Sequence, residues 1–134
     1  MDIALCVLDF EKRKLEYAGA YNPVYLVRNG ELIIYKADKV PIGAFIDEEL
    51  HEYTNNSIDL LPNDMIFISS DGFEDQFGGD QNKKFMVSRF RALLLSIAPE
   101  TVDRQREMLN QAFLDWKGEN EQVDDILVMG VRIS

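Results

Sequence analysis

The hydrophobic period changes once along this chain, after Gly78-Gly79, and this change constrains the fold more than any other feature. Before it, short apolar or alternating runs separated by turn residues are typical of β-strands. After it, apolar residues recur at helical spacing through two segments, and one further apolar run follows near the C-terminus. This order, in which strands are followed by a helix pair and then by a last strand, predicts an α+β fold with antiparallel sheets. A doubly wound parallel sheet would instead alternate strands and helices.

Six strands are predicted before the change of period. They cover residues 3–8, 15–19, 24–28, 31–36, 52–58 and 65–68. Asn29-Gly30 joins the third to the fourth and is the strongest hairpin signal, since both central residues of a type I′ turn need positive φ. We therefore expect the first 36 residues to form a meander of four strands, followed by a loop at Pro41-Ile42-Gly43.

Two consecutive helices are predicted between the sixth strand and a last strand at 126–133. Pro99 ends the first helix, Thr101 caps the second, and Gly118 follows it. The apolar stripe of the first is Met86, Phe90, Leu93, Leu94 and Ile97, and that of the second is Val102, Leu109, Phe113 and Trp116. These Met and aromatic positions are interpreted as core and not as a cofactor site.

Length and composition limit the possible functions. The 134 residues (1–134) indicate a single domain, and a formal charge of -10 disfavours nucleic acid or an anionic membrane as the main partner. No apolar run reaches the length of a membrane span, and there is no signal-peptide pattern. The only cysteine, Cys6, lies in an apolar run and is interpreted as a core thiol. A cytoplasmic setting is expected. His51, the only histidine, is interpreted as a surface residue.

The candidate chemistry lies at two strand ends. Asp71 follows an apolar strand through Ser69-Ser70, and Asp124-Asp125 precedes the last apolar run. A charged carboxylate at the end of a buried strand needs compensation, and antiparallel neighbours could bring these two ends together. Carboxylates without a His or Cys cluster favour Mg²⁺ or Mn²⁺. The simpler interpretation, a plain turn and a plain loop, stays open on these residues alone.

The sequence resembles the PP2C-like metal-dependent serine/threonine phosphatases, in their bacterial sporulation and stress-response branch. The matching segments occur in the family's order along essentially the whole chain. They are Tyr17-Ala18-Gly19-Ala20-Tyr21-Asn22-Pro23, Pro41-Ile42-Gly43, Leu61-Pro62-Asn63-Asp64, Ser69-Ser70-Asp71-Gly72 and Asp124-Asp125-Ile126.

The resemblance implies a two-sheet antiparallel β-sandwich flanked by helices, with a dinuclear Mg²⁺ or Mn²⁺ site. It implies hydrolysis of phosphoserine or phosphothreonine on a regulatory partner protein in bacterial signalling. Asp71 and Asp124 are the implied metal ligands, Asp125 is the fallback for the second, and no catalytic residue is predicted beyond them. Asp75 falls where the family often has an acidic residue, and its role stays open.

The chain also departs from the family pattern. A second metal-binding Asp-Gly element lies upstream in the family, whereas this chain begins inside a strand, and Asp2 and Asp9 lie in the wrong context to replace it. We therefore expect an N-terminally truncated, C-terminal part of the domain, with weak metal affinity and little activity alone. A sheet without some of its strands also favours self-association through an exposed edge. The alternative function is a non-catalytic phosphatase-fold module that binds a regulatory protein.

Overall fold

The computed structural model describes residues 1–43 and 50–134. Nine strands and three helices are found in this part of the chain. The strands are β1 (Ile3–Asp9), β2 (Lys14–Ala20), β3 (Val24–Arg28), β4 (Glu31–Tyr35), β5 (Asn56–Asp59), β6 (Met65–Ser69), β7 (Phe77–Gly78), β8 (Lys83–Lys84) and β9 (Val128–Arg132). The helices are α1 (Gly72–Asp75), α2 (Val87–Ile97) and α3 (Val102–Lys117).

Two antiparallel sheets form the body of the molecule. The three-stranded sheet has the order β1-β2-β5, and the four-stranded sheet has the order β4-β3-β6-β9. The predicted α+β sandwich with two helices before the last strand is confirmed. The expected four-strand meander is wrong, because β2 pairs with β5 and not with β3. Tyr21, in the left-handed backbone region at φ 62°, turns the chain from one sheet to the other.

The four-stranded sheet carries a core on each face. Val24 and Leu26 of β3 face the other sheet, whereas Tyr25 and Val27 face the helices. Burial on both faces explains why β3 has a continuous apolar sequence and no alternation. Phe90, Leu94 and Ile97 of α2 complete the helix-side core.

Some boundaries differ from the prediction. The fifth strand is shorter than 52–58, because the Tyr53 hydroxyl donates to the Pro41 carbonyl and the Thr54 amide to Asp38, which holds this segment against a loop. Met86 precedes α2 and is 55% exposed, and Val102 is also exposed, so neither belongs to the buried stripe predicted for its helix. Thr101 does cap α3, since its side chain accepts from the Arg104 amide at 3.3 Å.

Three short elements were not predicted. Helix α1 spans only four residues, and β7 and β8 span two each, so none contains enough residues to show a hydrophobic period. Gly78 and Gly79 pack on Trp116, and Gly79 has φ 68° in the turn that leads to β8. None of the helices in residues 1–43 and 50–134 is long and apolar enough to cross a membrane.

Candidate metal site at the ends of β6 and β9

The end of β6 is joined to the start of β9 by a serine. Ser69 pairs with Val128 in the sheet register, and the Ser70 amide donates to the Leu127 carbonyl at 3.0 Å. The Ser70 hydroxyl donates to the Asp125 carbonyl at 2.9 Å and accepts from the Leu127 amide at 3.0 Å. Ser70 therefore extends the contact between β6 and the segment that leads into β9 beyond the last paired residues of the sheet.

Gly72 allows the two segments to approach closely. A Cβ atom at this position would collide with the Asp125 carbonyl oxygen and would lie 3.0 Å from Cγ1 of Ile126. Gly72 is buried, and it opens the four-residue helix α1 directly after Asp71. The glycine is thus needed for packing, and it places the Asp71 turn against the Asp124-Asp125 loop.

Asp71 lies in a negative environment. The Asp71 residue is exposed, but partial desolvation raises the pKa of its carboxyl, and the charges of Asp75, Asp124 and Asp2 raise it further. Desolvation and like charges both disfavour the ionised form, so a cation at this position would relieve both effects. The structure therefore brings Asp71 and Asp124 into one electrostatic cluster, and Asp2 contributes to it.

The two adjacent candidates, Asp124 and Asp125, are held differently. Oδ1 of Asp124 accepts from the Asp125 amide at 2.7 Å, and the Gln122 side chain donates to the Asp124 carbonyl at 2.8 Å. Asp125 is bound to Ser70 through its backbone carbonyl, and it is not among the groups that shift the pKa of Asp71. These contacts favour Asp124 over Asp125 as the partner of Asp71.

Two further carboxylates of α1 border the cluster. Asp75 forms an ion pair with Lys84 at 3.0 Å, which partly neutralises it, and its amide donates to the Asp71 carbonyl. Burial raises the pKa of the Glu74 carboxyl, and the charges of Asp75 and Asp71 add to this. Sequence reasoning left the role of Asp75 open and missed Glu74. The Glu-Asp pair directly after Asp71-Gly72-Phe73 was the available signal.

The donor chemistry fits a hard divalent cation, although the number of ligands is small. Mg²⁺ in proteins is often bound by one or two carboxylates together with waters and substrate phosphates, so Asp71 and Asp124 would suit one hydrated ion. Across residues 1–43 and 50–134, no group of three or more His, Cys, Asp or Glu side chains could hold a metal ion.

The other residues singled out in the sequence lie away from this cluster or in the core. His51 is on the surface, with Nε2 3.4 Å from an Asp38 carboxylate oxygen. Cys6 is half-buried on the inner side of β1 beside the inter-sheet core, and burial raises the pKa of its thiol. Ile42 and Gly43 lie in a bend, as expected for a loop, and residues 44–49 lie outside the described part.

Comparison with known proteins identifies relatives along the whole chain. The family model "Stage II sporulation protein E (SpoIIE)" matches residues 1–134. The SiaA-PP2C domain of Pseudomonas aeruginosa is 30% identical with a TM-score of 0.90, over 99% of this chain and 52% of that chain. No curated protein matches the chain.

Two structures of Bacillus subtilis SpoIIE share the fold. Its PP2C phosphatase domain with a fragment of the regulatory domain is 20% identical, with a TM-score of 0.75 over 98% of this chain and 37% of that one. A Mn-presoaked structure of its phosphatase domain is 16% identical, with a TM-score of 0.68 over 98% and 56%. In the comparison with SiaA-PP2C, the chain spans about half the length of that chain.

Proposed function

Because the chain belongs to the SpoIIE family of PP2C-like phosphatases, we propose that it forms part of a serine/threonine phosphatase catalytic domain. In this proposal it acts on phosphoserine or phosphothreonine of a regulatory protein in bacterial signalling, in the cytoplasm. One observation carries the proposal: Ser70 joins the end of β6 to the segment before β9, and Asp124 lies close enough for its charge to raise the pKa of the Asp71 carboxyl.

Asp71 and Asp124 are the proposed ligands of a Mn²⁺ or Mg²⁺ ion. When bound, such an ion supplies a nucleophilic water at neutral pH and neutralises the charge of a phosphoryl group. The chain's own residues hold the two carboxylates in place: Ser70 joins the two strand ends, and Gly72 allows their close approach.

We expect the isolated chain to bind metal weakly and to turn over a phosphopeptide slowly. The cluster supplies two oxygen ligands, whereas a dinuclear centre needs more donors. Robust Mn²⁺-dependent hydrolysis of a phosphoserine peptide by these 134 residues would contradict this expectation.

Mn²⁺ binding tests the ligand assignment directly. Electron paramagnetic resonance of free Mn²⁺, titrated with wild-type protein, measures the bound fraction without any need for turnover. Asp71→Asn and Asp124→Asn should each weaken binding by about tenfold or more, while the adjacent Asp125→Asn serves as the matched control. Loss of binding in Asp71→Asn and Asp125→Asn, with binding retained in Asp124→Asn, would assign the second position to the fallback residue. Unchanged binding in all three variants would refute the site.

A second candidate function is a non-catalytic module that binds a regulatory protein. The observation that favours it is the small number of ligands, since the described residues contain no three-ligand group. This alternative would be supported if the chain showed neither Mn²⁺ binding nor phosphopeptide turnover but still bound the unphosphorylated form of its regulatory protein.

A further inference from the structure

A fully buried glutamine, Gln76, lies at the end of the short helix that follows Asp71. It is 0% exposed, and it is the C-terminal cap of α1. Its carbonyl accepts from Nε1 of Trp116 at 2.9 Å and from the Phe85 amide at 2.9 Å, and its amide donates to the Phe73 carbonyl at 3.3 Å. The backbone of Gln76 is therefore fixed, and a buried polar side chain on it needs hydrogen-bond partners.

The side chain of Gln76 connects two distant segments. Nε2 donates to the Glu121 carbonyl at 2.8 Å, across 45 residues of sequence, and to the Phe77 carbonyl at 3.0 Å. Both hydrogens of this amide nitrogen are thus used. The opposite orientation of the side-chain amide would place Oε1 against two carbonyl oxygens, so the hydrogen bonds determine the orientation.

The side-chain oxygen of Gln76 gains nothing from this position. Oε1 is buried and accepts no hydrogen bond from the part of the chain that the structure describes. A buried acceptor without a donor costs stability, and an apolar side chain of similar length would avoid that cost. What distinguishes a glutamine here is therefore its two donated bonds, of which only the bond to Glu121 reaches a distant segment.

The loop that carries Asp124 is exposed from residue 121 to residue 125. Within the described residues, two hydrogen bonds attach this loop to another element. Gln76 donates to the Glu121 carbonyl at one end, and Ser70 donates to the Asp125 carbonyl at the other. Asp124 therefore lies between two attachment points, and both donors lie within a few residues of the other candidate ligand.

Two attachments restrict this loop more than one would. With Ser70 alone, the loop would be fixed on the C-terminal side of Asp124 and free to move on the other side. A cation that binds a mobile carboxylate must order it, and this ordering reduces affinity. The bond from Gln76 removes part of that cost before the cation arrives.

We propose that Gln76 is a positioning residue for the pair of Asp71 and Asp124, and that it preorganises the Asp124 loop for a divalent cation by binding the Glu121 carbonyl. Gln76 supplies no ligand and acts through the backbone of the loop. This inference rests on the proposed function, because it concerns the same site.

A second buried glutamine provides the matched control. Gln105 of α3 is 3% exposed, and its Nε2 donates to the Ala98 carbonyl at 3.2 Å and to the Glu100 carbonyl at 3.0 Å. Both carbonyls lie between α2 and α3. Gln105→Met therefore removes two donated bonds from the interior and leaves both attachments of the Asp124 loop in place.

Mn²⁺ titration followed by electron paramagnetic resonance measures the dissociation constant of each variant. Partners that directly hold metal ligands contribute about 10–100-fold to affinity, and Gln76 acts through the backbone, so Gln76→Met should raise the constant by about tenfold. Gln105→Met should leave it unchanged. Urea unfolding shows whether each variant is folded under these conditions, and a folded variant that has merely lost stability keeps its dissociation constant.

Gln76→Asn keeps the proposal testable if Gln76→Met does not fold. The side chain is shorter by one methylene, so we expect it to keep the bond to its neighbour Phe77, to lose the bond to Glu121 and to weaken Mn²⁺ binding to a similar extent. Wild-type affinity in a folded Gln76 variant would overturn the proposal, and so would equal weakening by Gln105→Met.

Amide hydrogen exchange without metal separates this inference from the proposed function. The Asp125 amide donates to the Asp124 carboxylate, and the Leu127 amide donates to the Ser70 hydroxyl. Both amides should exchange about tenfold faster in Gln76→Met than in Gln105→Met, because the loop opens more often when it has lost one attachment. If exchange accelerates but the wild type binds no Mn²⁺, the ligand assignment fails and the positioning role stands. If the wild type binds Mn²⁺ and exchange is unchanged, the positioning role fails and the ligand assignment stands.

Discussion

The ion pair between Arg28 and Asp64 tests how one of the family-matching segments, Leu61-Pro62-Asn63-Asp64, stabilises this fold. Asp64 is 1% exposed and accepts from Nε of Arg28 at 2.9 Å, from Nη2 of Arg28 at 2.6 Å and from the Leu61 amide at 2.8 Å. Nη2 of Arg28 also donates to the Asp59 carbonyl at 2.8 Å. The pair therefore ties the end of β3 to the turn between β5 and β6.

The two partners differ in burial, so their removal should differ in cost. Arg28→Met leaves a fully buried carboxylate without its cation, and loss of one partner of a buried pair costs about 3–5 kcal/mol of unfolding free energy. Asp64→Leu leaves the Arg28 side chain, which is 25% exposed, able to reach water. That change also leaves the Leu61 amide unpaired, and it should cost about 1–3 kcal/mol.

The double variant Arg28→Met/Asp64→Leu separates the interaction from the side effects of each change. It should cost no more than about 1–3 kcal/mol, because no buried charge is left without its partner, and the groups that lose a hydrogen bond are the Leu61 amide and the exposed Asp59 carbonyl. Urea unfolding followed by circular dichroism measures all three values. Asp59→Asn is the control, since its pair with Lys14 at 3.7 Å is exposed and should contribute less than ~1 kcal/mol.

Additivity would refute this reasoning. If the two single costs sum to the cost of the double variant within about 0.5 kcal/mol, the pair is not energetically coupled. A cost for Asp64→Leu larger than that for Arg28→Met would also contradict the assignment of the carboxylate as the buried member.

Three further predictions concern backbone strain, packing and pH. Met86 has φ 79° and ψ 148°, a region that costs a residue with a side chain about 1–3 kcal/mol, so Met86→Gly should raise the urea midpoint, and an unchanged or lower midpoint would contradict this strain. A Cβ at Gly78 would collide with the Trp116 backbone carbonyl, so Gly78→Ala should lower the thermal midpoint, and an unchanged midpoint would contradict this close packing. Burial raises the pKa of the Tyr17 and Tyr25 hydroxyls above the value of about 10 that they have in the unfolded chain. Their contribution to the unfolding free energy is therefore complete below about pH 10, and it is lost as pH rises through the higher pKa of the folded state. Unfolding free energy should therefore fall above this pH in the wild type and fall less steeply in Tyr17→Phe; parallel curves would contradict the assignment.

Residues with strong local preferences made much of the fold predictable. Asn29 and Gly30 both have positive φ, and they join β3 to β4 in the predicted hairpin. The Thr101 cap and the stop after Lys117 were predicted for the same reason, because capping depends on neighbouring residues only. The partner of β2 was not predictable in this way, since β5 lies far along the chain.

The candidate site was predictable only in part. The position of a carboxylate directly after a buried strand is a local pattern, and Asp71 was singled out on that basis. The contribution of Asp2 to its environment depends on how β1 lies relative to β6, which no local pattern encodes. The left-handed conformation of Met86 is opposed by local preference, so it too could not be expected from the sequence.

The connection that Ser70 makes has a consequence for the order of folding. Its hydroxyl donates to the Asp125 carbonyl across 55 residues of sequence, and its partner strand, β9, is the last of the described strands. Contacts between distant residues close large loops, and they slow folding relative to local contacts. During synthesis the hairpins β1–β2 and β3–β4 can form early, whereas Asp71 gains its neighbour Asp124 only when the final strand has left the ribosome. The carboxylate cluster can therefore form only after β9 has been synthesised, later than either hairpin, and removal of β9 should abolish it.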